Sequence, residues 1–149
     1  MDLPECIAGL DEDGKAFVNE VDELLTGLCR LKIVEKDEKI RLTYTDNVTK
    51  RALVAFAVTG ALLNVHLYAN NIGRYVDELL SMPDAMLNII KNGRECDGIE
   101  KHPTCIGPYC FTMDGNEFKK CRYMNFRFDD DKDNRTYLKS MIMNEMSSR

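Results

Sequence analysis

The chain lacks an excess of positive charge. Its 149 residues include 20 lysines and arginines against 25 aspartates and glutamates, a formal charge of −5. Surfaces that hold nucleic acid through bulk charge are usually basic, so no nucleic acid is expected as a partner. The short basic pieces, Lys50-Arg51 and Lys119-Lys120-Cys121-Arg122, read as solvated strand edges. No export signal is visible either, and none is expected. The opening residues, MDLPECIAGLDEDG, carry acids and a proline where such a signal needs a basic start and an apolar run. A reducing cytoplasm is therefore expected, where clustered cysteines bind metal or catalyse more often than they pair. The chain has no Gly-rich phosphate loop of the Rossmann or Walker type, which leaves nucleotide-binding folds without their signature. It has no C-x2-C pair, the strongest zinc signature. No internal repeat and no low-complexity linker divides it.

What is present suits a single domain over residues 1–149. The apolar fraction is 44%. A chain of this length buries about 68–70% of the surface it exposes when unfolded, enough for a core without staples. The run ALVAFAVTGALLNVHLYA, residues 52–69, approaches membrane-spanning length. Gly60 interrupts it, and its second half alternates: Leu63, Val65 and Leu67 on one face, Asn64, His66 and Tyr68 on the other. A period of two is a half-buried strand. Two strands joined near Thr59-Gly60-Ala61 are expected, and no membrane partner.

Periodicity places the other elements. Residues 14–29 repeat apolar side chains at helical spacing (Phe17, Val21, Leu24, Leu25, Leu28), with Asp11 or Asp13 as cap. Residues 31–36 and 39–45 are strands about an Asp37-Glu38 turn. Asn70-Asn71 opens a helix carrying Tyr75, Val76, Leu79 and Leu80, which Pro83 breaks. Residues 84–91 form a second helical piece, stopped by Asn92-Gly93. Residues 109–113 form a strand, Asp114-Gly115 a hairpin turn, and residues 117–128 one long strand. A helix over 133–146 closes the chain.

The order α-β-β-β-β-α-α-β-β-α contains hairpins and no strand–helix–strand crossovers. It predicts an α+β fold, a mostly antiparallel sheet of about 5–6 strands with helices on one face. This order resembles the small α+β domains of the YdhG-like group of uncharacterised bacterial proteins, over most of the chain and as a pattern of elements. The resemblance implies a bacterial source and that fold. No motif accompanies it, so it transfers no function and no site residue.

One segment concentrates chemistry. The stretch CDGIEKHPTCIGPYCFTMDGNEFKKC, residues 96–121, holds Cys96, His102, Cys105, Cys110 and Cys121. Tetrahedral zinc takes four nitrogen or sulfur ligands, often as two pairs from separate stretches of backbone. His102 and Cys105 form one short pair, Cys110 and Cys121 a second. A two-residue turn at Asp114-Gly115 sets Cys110 opposite Lys119 and Cys121 diagonally beyond it. Diagonal neighbours stand about 7–8 Å apart between Cα atoms, too far for an unstrained disulfide and close enough to share a metal; a one-residue bulge would bring the two cysteines opposite, so the hairpin excludes neither. Four unlinked thiols used as small side chains are the first expectation, zinc the second, a disulfide or redox pair the third. Cys6 and Cys29 read as packing residues, Cys29 at the end of the first helix.

Two weaker groupings remain. Asn64, His66 and Tyr68 could orient a small polar ligand, but a solvated stripe on a one-sided sheet is the better account of them. FDDDKDN, residues 128–134, has the alternating acids of a calcium loop, but Asn134 and Ser140 stand where glycine and glutamate are needed. The start of the last helix is the better account of those acids. Three functions follow: a small binding or accessory domain with structural zinc; a thiol-dependent enzyme or redox protein using Cys105, Cys110 or Cys121; a ligand-sensing domain using the central hairpin.

Overall fold

A computed structural model describes residues 1–98 and 100–149; Ile99, inside the cysteine segment, lies outside the described residues. The fold is α+β. A short helix α1 (Leu3–Cys6) and helix α2 (Glu12–Leu25) precede four strands: β1 (Cys29–Lys36), β2 (Lys39–Asp46), β3 (Ala52–Thr59) and β4 (Leu62–Leu67). A 3-10 turn (Ile72–Arg74), α3 (Val76–Leu79) and α4 (Asp84–Lys91) follow. Next come β5 (Tyr109–Met113), β6 (Asn116–Lys120), β7 (Phe126–Asp129) and α5 (Arg135–Ser147). The main sheet is antiparallel throughout, in the order β1-β2-β3-β4-β7, and β5-β6 is a separate hairpin.

Alternation decides the sheet's two faces. Leu42, Tyr44, Val54, Phe56, Val58, Leu63, Val65, Leu67, Phe126 and Phe128 point inward and are buried. The rings of Phe17 on α2 and Tyr44 on β2 both meet Phe56 edge-on, at 5.9 and 6.0 Å. This is the geometry aromatic pairs prefer. Asp11 caps α2 by accepting from the Gly14 amide at 2.7 Å. α5 is fixed by Glu145, fully buried, whose carboxylate accepts from the Asn70 and Asn71 amides, the Asn71 side chain and the Tyr75 hydroxyl. A buried charge is tolerable only when its lone pairs are occupied in this way.

The run 52–69 is two strands, and no helix among the described residues is long and apolar enough to cross a membrane. Asp37 and Glu38 both take positive φ, as do Asp114 and Gly115, the primed-turn geometry that matches strand twist.

Several expectations need correction. The first helix ends at Leu25, because Gly27 (φ 82°) turns the chain into β1; Cys29 therefore begins a strand. The helix expected from residue 70 shrinks to the 3-10 turn and α3, because the amides of Asn70 and Asn71 bind Glu145; Leu80 is 48% exposed. The strand expected over 117–128 splits into β6 and β7, which belong to different sheets. The break follows from Lys120, wholly buried, whose ammonium donates to the carbonyls of Lys91 and Gly93 at the end of α4. The Cys121 amide then donates to the Arg94 carbonyl at 2.9 Å, which draws the chain off the hairpin. Near the acids of 128–134, Arg135 makes a two-pronged bond to Asp130, both arms 2.7 Å.

Candidate functional site

The cysteine segment lies against the end of the β5-β6 hairpin. Cys96 donates its amide to the Lys119 carbonyl at 3.1 Å, Glu95 bridges Lys120, and Cys121 pairs with Arg94 as described. Arg122 donates to the carbonyls of Gly107 and Pro108 at 3.2 and 3.1 Å, tying down the far end of the loop. Between these ties opens a cavity of about 370 Å³. Cys96, His102, Cys105 and Cys121 all line it, with Arg94, Asp97, Arg122 and Tyr123.

Two thiols are presented in the same way. The Gly98 amide donates to Cys96 Sγ and the Gly107 amide to Cys105 Sγ, both at 3.4 Å. Each sulfur thus takes an N–H from the glycine two residues on. Gly98 has φ 95° and Gly107 φ 101°. A residue with a Cβ is strained there, so glycine fits the turn. The signal was available in the sequence as a repeated C-x-G, Cys96-Asp97-Gly98 and Cys105-Ile106-Gly107.

His102 faces Asp97, its Nε2 3.5 Å from the carboxylate. The bond from Arg94, at 3.0 Å, and the one from His102 hold the Asp97 carboxyl below the usual carboxylate range. Tyr109 is 5% exposed and its hydroxyl is buried without a partner among the described residues; burial pushes its pKa upward.

Cys110 behaves differently. It is opposite Lys119, the register expected from the turn, but on the exposed face of β5 and outside the cavity. All six cysteines are free thiols. Cys6 is buried in the core, and burial raises the thiol pKa of both Cys6 and Cys29. Among the described residues no three His, Cys, Asp or Glu side chains are grouped as a bound metal ion requires. The four candidate ligands line the cavity wall without meeting at one point.

The central hairpin face uses two of its three candidates internally. Arg41 donates to His66 Nδ1 and to the Tyr68 hydroxyl, both at 2.8 Å. His66 therefore carries its proton on Nε2. Burial, with Arg41 and Arg127 adding repulsion, lowers its pKa to about 4, so it is neutral near pH 7. Arg41 escaped sequence reasoning because it comes from β2, two strands from β4. Asn64, the third candidate, is half-buried opposite Asp129. No protein-family model, no curated protein and no solved structure matches the chain.

Proposed function

We propose that the chain is a non-catalytic binding domain whose cysteine-lined cavity takes a zinc ion on Cys96, His102, Cys105 and Cys121. The pair of C-x-G turns carries this reading. Each aims a backbone N–H at a sulfur on the wall of one cavity. Such donors offset the charge of a thiolate, the form that ligates metal. Three thiolates and a neutral imidazole complete a tetrahedral zinc set and leave no open position, which favours a structural role over catalysis. Arg122 on the same wall offsets the anionic site, and Arg94 is paired with Asp97. Asp97 beside Nε2 of His102 leaves Nδ1 free to ligate, with the carboxylate orienting the ring. Zinc–sulfur bonds of about 2.3 Å require the loop to draw in as metal binds, so metal affinity becomes folding free energy for this segment.

Elemental analysis of protein purified without chelator tests the reading. About one zinc per chain is expected for a site of this kind. Cys105→Ser and Cys121→Ser should lose it, and Cys110→Ser should keep it. Gly107→Ala keeps the amide but strains its φ of 101° and so displaces the N–H from the sulfur; it should weaken zinc binding about tenfold, as disturbance of an outer-shell partner typically does. Metal-free protein with one rapidly alkylated thiol would replace zinc with the thiol-dependent reading.

A further inference from the structure

We infer that the outer face of the main sheet is a docking surface for single-stranded nucleic acid, gripped through its phosphates. Strand register puts Arg30, Lys32 and Lys36 of β1, Lys39 and Arg41 of β2, and Arg127 of β7 on this one face. The same register gives the face a single acid, Asp129, at the far edge. The chain as a whole is acidic, so the charge is sorted: one face is cationic and the remaining surface strongly anionic. A polyanion is attracted to this face and repelled by the rest.

None of the six cations makes an ion pair among the described residues. The lysines and arginines that do pair, such as Lys91, Arg135 and Lys139, lie elsewhere. Arg41 is held by two neutral groups, His66 and Tyr68, so its guanidinium is fixed in place without a counterion. Elsewhere on the face the side chains are open: Arg30, Lys32, Lys36, Lys39 and Arg127 are all exposed.

Shape selects the strandedness. Cations two residues apart along a strand stand about 6.7 Å apart, and neighbouring strands about 4.8 Å. This makes an open array of positive charge across β1 and β2, with Arg127 at the opposite edge of the sheet. Between them lie the small residues Ala55, fully buried, and Ala57, half-buried, which share the face with Arg41 and His66. Duplex DNA is read by an element that enters a groove. An open sheet face instead accepts an unpaired strand along its surface. Asn64 and Thr43 add neutral polar groups. The aromatic rings there, those of His66 and Tyr68, are both engaged by Arg41, so contact is to the backbone and independent of sequence.

Fluorescence anisotropy with a labelled oligouridylate at low salt tests the assignment. Binding should weaken steeply as salt rises. The triple variant Arg30→Gln, Lys32→Gln, Lys39→Gln should lose at least tenfold in affinity. Its slope of log affinity against log salt should be shallower by about 2, at about 0.7 for each single-strand phosphate contact. All three are exposed strand positions, and an unchanged melting curve confirms the fold. Lys119→Gln, on the separate hairpin, should bind as the parent does. Absence of binding at low salt would overturn the proposal, as would a triple variant that binds normally. Equal binding of polyglutamate would overturn it in favour of an acidic protein partner. None of these outcomes depends on zinc.

Discussion

The five-stranded sheet and the cysteine segment are stabilised by different means. The sheet buries Leu42, Val54, Phe56, Val65, Leu67 and Phe128 to 3% exposure or less against α2 and α5. Each such side chain contributes about 1.5–3 kcal/mol through its removal from water. Among its described residues, the segment between Arg94 and Pro108 contributes almost nothing to the apolar core: Cys96 and Cys105 are half-buried, and Ile106 is 67% exposed. Its ties are polar: Lys120 to the end of α4, Arg122 to two carbonyls, and backbone pairing at Cys96 and Cys121. One region has a core of its own. The other borrows order from its neighbours and carries the four candidate ligands of the proposed site. The proposal predicts that this segment, unlike the scaffold, gains its order when metal binds.

Phe56→Ala should break the scaffold. It removes the ring that Phe17 and Tyr44 both contact and should cost about 4 kcal/mol, read from urea unfolding. Lys120→Met should act on the other region. It leaves the carbonyls of Lys91 and Gly93 without their donor, at a cost of about 2 kcal/mol. Proteolysis should then cut the cysteine segment before the sheet. A smaller effect concerns pH. His66 resists protonation when folded, with a pKa of about 4 against an ordinary 6.5. Between those values the unfolded chain binds the proton more readily, so stability rises with pH. The contribution is complete above pH 6.5 and is lost as pH falls from 6.5 towards 4. Chemical unfolding across this range should show the slope in the parent and a flatter one in His66→Gln.

The scaffold was legible in the sequence because its signals are local. Alternation at Leu63, Val65 and Leu67 set the faces of β4, and Asp114-Gly115 set the hairpin register to the residue, Cys110 opposite Lys119. The misreadings came from distant partners. Lys120 belongs to a strand by pattern, but it ends the strand because its ammonium caps a helix nearly thirty residues earlier. Asn70-Asn71 has helix-opening chemistry, yet Glu145 of α5 captures its amides. The site was partly legible: four of five candidate ligands face one cavity and Cys110 does not. The two C-x-G turns were visible and carried more information than the cysteine spacing. Net charge carries no such information, because it averages faces that strand register keeps apart.

Hydrogen exchange measured with and without zinc tests the contrast most directly. Zinc should slow exchange of amides in the cysteine segment, Gly98 and Gly107 among them. Amides of β2, β3 and β4 should exchange equally slowly in both states. Exchange in the segment that is unchanged by zinc, or a sheet that gains protection to the same degree, would contradict the account.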